Sequence, residues 1–107
     1  MWQRQGNAVV VTLPRQLIGG DQAIEITDQV RQLVAGGIEH VIFDCSAVEL
    51  INSSGLGMLV SALATLRTRG GRCTLAAVPD KMQTLLEVTH LGSIFSLADS
   101  VAAALTE

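Results

Sequence analysis

The stretch Asp44-Cys45-Ser46-Ala47-Val48-Glu49-Leu50-Ile51-Asn52-Ser53-Ser54-Gly55-Leu56-Gly57 decides how this chain is read. A short apolar run, Val41-Ile42-Phe43, feeds it and a long helical pattern leaves it. The polar cluster Asn52-Ser53-Ser54-Gly55 therefore falls at a strand-to-helix transition. The first N–H groups of a helix have no partner inside it and the helix dipole is positive there, so negative charge is favoured. Two serines at such a place, beside glycines that admit another molecule, point to a site where a phosphoryl group is added and removed.

Working outward, strands and helices alternate. Ala8 to Leu13 is a β-branched run closed by Pro14, and Gly6-Asn7 turns it into a hairpin with Trp2 to Gln5. Asp21 is expected to cap a helix in which Ile26, Val30, Leu33 and Val34 repeat at helical spacing, ended by Gly36-Gly37. His40 to Cys45 is a second strand. From Ser53 to about Arg69 the pattern is helical, with Leu56, Leu59, Val60, Leu63 and Leu66 on one face and Gly70-Gly71 at its end. Arg72 to Val78 is a third strand. Asp80, with Gln83 in the capping-box position, is expected to open a third helix through Leu91. Ile94 to Leu97 reads as a short edge strand and Asp99 as the start of a last Ala-rich helix. Two helices that end in Gly-Gly and run into apolar strands mark an α/β alternation, and right-handed crossovers make the sheet mostly parallel. The expectation is one α/β domain over residues 1–107, with four to five strands and about four helices.

Composition narrows the chemistry. With 107 residues there is room for one core and little for a separate catalytic module. The chain is 49% hydrophobic with one Trp and two Phe, so the core is aliphatic. The net charge of −3 and seven scattered Lys and Arg residues are not a nucleic-acid footprint. No apolar run approaches the roughly 18 residues needed to span a bilayer, and no apolar segment of a signal peptide follows Met1-Trp2-Gln3-Arg4. A cytoplasmic protein without membrane insertion is expected. Cys45 and Cys73 fall at opposite ends of neighbouring strands, roughly 10 Å or more apart at about 3.3 Å per residue, so both are expected to be buried hydrophobes rather than a disulfide. His40 and His90 lack partners at ligand spacing, so capping or surface roles are expected and no metal or cofactor. Gly55-Leu56-Gly57 is too short for a dinucleotide fingerprint, and no Gly-x-Ser-x-Gly elbow or Gly-x4-Gly-Lys loop occurs, so catalysis is not expected. Asp44 is expected to fix the following loop by accepting backbone N–H bonds.

The run Asp44-x-Ser46-x-Val48-x-x-Ile51-Asn52-Ser53-Ser54-Gly55-Leu56-Gly57 resembles that of the STAS domain family, and in particular its free-standing bacterial anti-sigma factor antagonists. The likeness extends from Val9 to about Leu105, through Gly70-Gly71, Leu85-Leu86-Glu87-Val88-Thr89-His90-Leu91 and Phe95. It implies a switch protein. The unphosphorylated form binds an anti-sigma factor that is also a serine kinase with a histidine-kinase-like ATPase fold, which frees the sigma factor. That kinase then phosphorylates the first serine of the pair, Ser53 here, and a metal-dependent serine phosphatase resets it. Two positions depart from the family pattern: Asn52 stands where an Asp is usual, and Leu17-Ile18-Gly19-Gly20-Asp21 replaces Gly-x-Leu-Asp, with Asp21 placed for partner contact. A STAS adaptor subunit of a lipid-transport ATPase or of a signalling complex, without a phosphorylation cycle, is the competing reading.

Two further expectations concern the helix itself. Ser53 is expected to cap it, a role compatible with phosphorylation. On a helical wheel the side opposite the leucines carries Ser54, Gly57, Met58, Ser61, Thr65 and Thr68, small and uncharged where a solvated face carries Lys and Glu. That strip, centred on Met58 and continuous with Asn52, Ser53, Ser54 and Gly55, is the expected partner surface.

Overall fold

The β-branched and aliphatic runs form a sheet because each alternates its side chains between two covered faces. The computed structural model describes residues 2–106. Its strands are β1 (Trp2–Gln5), β2 (Ala8–Thr12), β3 (Gln16–Leu17), β4 (His40–Asp44), β5 (Leu50–Ile51), β6 (Arg72–Ala76) and β7 (Ser96–Ala98). Its helices are α1 (Asp21–Ala35), α2 (Ser53–Thr68), α3 (Asp80–Val88) and α4 (Val101–Leu105), with a 3-10 turn at Gly92–Ile94. The main sheet has the order β1-β2-β4-β6-β7. Only the β1–β2 hairpin is antiparallel; β2, β4, β6 and β7 run parallel, in a register that aligns Val9, Val41 and Cys73, and then Val11, Phe43 and Leu75. The mostly parallel five-stranded sheet and four helices match the expectation from sequence.

Each crossover steps the same way across the sheet, from β2 through α1 to β4, through α2 to β6, and through α3 to β7. Right-handed crossovers that all move in one direction place their helices on one face. The main core accordingly joins Val9, Val11, Val41, Phe43 and Leu75 of the sheet to Ile26, Val30 and Leu33 of α1, Leu56, Leu59 and Leu63 of α2, and Met82 and Leu86 of α3. Among the described residues the helix on the opposite face is α4, where Ala104 meets Val10, Ile42 and Ala76. Burying each large aliphatic side chain contributes about 1.5–3 kcal/mol, so the three-helix face dominates stability. Both cysteines lie buried and unpaired, and burial pushes both thiols up to about 12, which keeps them protonated and inert.

Several local expectations change. Asp21 is the first residue of α1, and Gly20 is the cap; Asp80 likewise follows the capping Pro79, so no capping box forms. A chain already turned into the helix by Gly20 or Pro79 leaves these carboxylates inside the first turn. The third strand stops at Ala76 because Ala77 adopts φ 54°, and α3 stops at Val88, before His90 at φ 59°. The edge strand begins at Ser96, two residues after Ile94, and Ser100 rather than Asp99 caps α4 by accepting from Ala103 N–H. His40 is a buried sheet residue, not a surface one, with Nε2 2.7 Å from Thr74 Oγ1 across β4–β6.

Candidate functional site

Beyond β4 the chain turns sharply, and Asp44 holds the turn: its Oδ1 accepts the Ser46 N–H at 3.0 Å and the Ser46 hydroxyl at 2.7 Å. This is the loop-fixing role expected for it. The Cys45 N–H continues the ladder onto the Ala76 carbonyl, and Val48 is buried below. The segment then meets the strand-exit loop of β2. Arg15 pairs with Glu49 at 2.8 Å, its carbonyl accepts the Glu49 and Leu50 N–H groups, and β3 and β5 pair in parallel, Gln16 with Leu50 and Leu17 with Ile51. These two-residue strands aim the chain into α2.

The cap of α2 is Asn52, not Ser53. Asn52 has extended backbone angles, its Oδ1 accepts the Gly55 N–H at 2.9 Å, and its carbonyl accepts the Leu56 N–H at 3.0 Å. Ser53 and Ser54 become the first two helical residues, both exposed. Among the described residues neither their hydroxyls nor their N–H groups have a hydrogen-bond partner, and the first turn carries no acidic side chain. Two open donors at the positive end of a 16-residue helix form an anion-accepting tip. Among the described residues the Ser53 hydroxyl has no hydrogen-bonded base, and the side-chain carbonyl oxygen of the preceding Asn52 is engaged by the Gly55 N–H.

Gly55 and Met58 belong to the seat of the helix and not to its open surface. A Cβ on Gly55 would overlap the Leu17 carbonyl oxygen, so the β3 exit and α2 touch backbone to backbone. Asn52 N–H donates to that same carbonyl at 3.3 Å. Met58 is 4% exposed and lies in the main core, which removes it from the expected partner strip. The leucine stripe marks only part of the buried side of α2, which also packs against α1, and the buried set extends to Met58 and Ala62. Of the expected surface, Ser53, Ser54, Gly57, Ser61 and Thr68 stay open, with Thr65 half-buried and bonded to the Ser61 carbonyl; Ala64 and Arg67 are the other exposed residues of α2. Asp21 is exposed at the start of α1, two residues after Gly19, whose Cα approaches so closely that a Cβ there would lie 2.9 Å from Ser54 Cβ. The structure thus gathers Asn52, Ser53, Ser54 and the loop leading to Asp21.

Sequence reasoning missed the apolar flank and the tie behind it. Ile18 is 43% exposed and Leu50 51% exposed, one on each of the two segments that lead to this tip. Gln22 bonds both to the Ile18 N–H and to the Gln16 carbonyl. Neither bond has a sequence signal, since both use backbone whose path is known only once β3 is placed.

A family model described as the STAS domain matches residues 1–104. The chain belongs to the STAS family. A putative anti-sigma factor antagonist from Thermotoga maritima is 30% identical over 71 residues, which are 66% of this chain and 63% of that relative. The STAS-domain chain thus spans somewhat less than two thirds of the relative's length. The crystal structure of a putative anti-sigma factor antagonist from Thermotoga maritima superposes with a TM-score of 0.86 at 22% identity, over 99% of this chain and 91% of that one. The Bacillus cell fate determinant SpoIIAA in its phosphorylated form superposes with a TM-score of 0.78 at 18% identity, over 99% of this chain and 96% of that one. These likenesses establish the STAS fold. Among the described residues no helix is long and apolar enough to cross a membrane.

Proposed function

We propose that this STAS chain is an anti-sigma factor antagonist switched by phosphorylation of Ser53. In this reading the unphosphorylated form binds an anti-sigma factor that is a serine kinase with a histidine-kinase-like ATPase fold, and a metal-dependent serine phosphatase restores that form. The observation that carries the reading is the division of labour at the tip of α2: Asn52 makes the capping bond, so the exposed Ser53 hydroxyl is free for modification at no cost to the cap. A phosphoserine there brings a charge of about −1.5 to −2 and three acceptor oxygens. The open N–H groups of Ser53 and Ser54 tolerate it within the fold. A partner covering Ile18 and Leu50 would have to strip water from it, and that desolvation opposes binding. The relative from Thermotoga maritima and the phosphorylated structural neighbour support the same reading by name.

The test is incubation with an ATPase-type serine kinase and ATP, followed by intact mass and peptide mapping. A gain of one phosphate on the wild type, absent from Ser53→Ala, together with lasting kinase binding by Ser53→Ala, is the expected result. Stable binding with no mass gain on the wild type would turn the assignment toward a non-switching adaptor.

A further inference from the structure

The loop between β3 and α1 contains Gly19 at φ 88° and Gly20 at φ 67°, so its own backbone does little to fix its shape. Yet this loop supplies the surface on which the first turn of α2 rests, through the Leu17 carbonyl against Gly55 and Asn52 and through Gly19 against Ser54. One side chain ties it from both sides. Gln22, in the first turn of α1, donates from Nε2 to the Gln16 carbonyl at 2.6 Å and accepts at Oε1 from the Ile18 N–H at 3.0 Å. Gln16 and Leu17 are also held by the β3–β5 pairing and by burial of the Leu17 side chain, and the Ala23 N–H on the Gly20 carbonyl closes the helix start; Gln22 adds the tie that reaches past the strand to Ile18.

The geometry points to Gln22 as a positioning residue for the Ser53 surface. Its side-chain amide straddles Leu17, holding that carbonyl where it seats Asn52 and Gly55 and setting exposed Ile18 against the first turn of α2. A protein partner then meets Ile18 and Ser53 as one preformed surface. A preformed surface lowers the ordering cost of recognition, so Gln22 acts on how well the partner binds and not on the phosphoryl transfer itself. The inference rests on the reading of Ser53 as the modified residue, but its first test does not.

That test is amide hydrogen exchange on the intact chain for the wild type, Gln22→Met and Gln22→Glu. Gln22→Met keeps the length and packing of the side chain and removes both bonds. It is expected to speed exchange at Ile18 and Asn52 about tenfold, with β4 and β6 amides unchanged. Gln22→Glu keeps an acceptor for the Ile18 N–H while facing the Gln16 carbonyl with a second oxygen, and is expected to fall between the two. Wild-type exchange at Ile18 and Asn52 in Gln22→Met would overturn the inference, as would equal acceleration of every sheet amide. The second arm is steady-state phosphorylation by the kinase that modifies the wild type. A KM raised several-fold with kcat unchanged supports a positioning role; a lowered kcat with unchanged KM overturns it. If no kinase modifies the wild type, the Ser53 reading fails while the exchange result still decides the role of Gln22.

Discussion

The N-termini of α1 and α2 lie side by side and are built in opposite ways. α1 starts at Gly20 with no side-chain cap, and Asp21 sits permanently in its first turn. α2 starts at Asn52 with a side-chain cap bond and has no acidic residue in its first turn, only two exposed serines. Both helices are long enough for a substantial dipole, and one has its negative complement encoded while the other has a neutral tip. A helix start that is well capped but uncharged is stable without an anion and still gains from one. That is the condition under which a reversible charge can be added without unfolding the element that carries it.

The contrast holds only if the tip of α2 is open and the rest of its first two turns is seated, and the largest effects test the seat. Met58→Lys places a charge in the main core and should lower unfolding free energy by roughly 3–5 kcal/mol in a urea titration. Unchanged stability would return Met58 to the surface and dissolve the distinction between tip and seat. Gly55→Ala forces a methyl group onto the Leu17 carbonyl and should cost about 1–3 kcal/mol. Gly57→Ala, two positions on, meets nothing within 4 Å and should instead stabilise by about 0.5–1 kcal/mol. At the cap, Asn52→Ala should cost about 1 kcal/mol, while Asn52→Asp keeps the bond and makes α2 resemble α1. The smallest and most diagnostic pair is charge itself. Asp21→Asn should lose, and Ser53→Asp should gain, about 0.3–1 kcal/mol, both shrinking as salt is added. If Ser53→Asp destabilises the chain at low salt, the tip of α2 does not accept an anion.

The parts of this arrangement that sequence disclosed are those set by long periodic segments. The runs Val9-Val10-Val11 and Val41-Ile42-Phe43, the leucine stripe of α2 and the paired glycines after α1 and α2 fix strands, helices and their alternation. Asn52-Ser53-Ser54 was placed correctly at a helix start for the same reason. Which of three adjacent polar residues makes the cap bond was not legible, because it depends on where the chain leaves β5, and a two-residue strand has no periodicity to read. Met58 was misplaced because a leucine stripe marks only part of a helix's buried side, and how much more of it is buried depends on elements from elsewhere in the chain. The Gln22 tie was invisible for the complementary reason: a side chain that bonds to backbone leaves its partner unnamed in the sequence.

The one-directional order of β2, β4, β6 and β7 also bears on how the chain comes to its shape during synthesis. Each strand leaving the ribosome finds its partner already in place at the growing edge, and each crossover helix closes over the strands just laid down. The exception is the face that carries Val10, Ile42 and Ala76, which stays bare until α4, from the final residues of the fold, can be laid across it. A nascent or C-terminally trimmed chain therefore presents an assembled three-helix side and an uncovered apolar back, and chaperone engagement or self-association of such intermediates should be directed to that back.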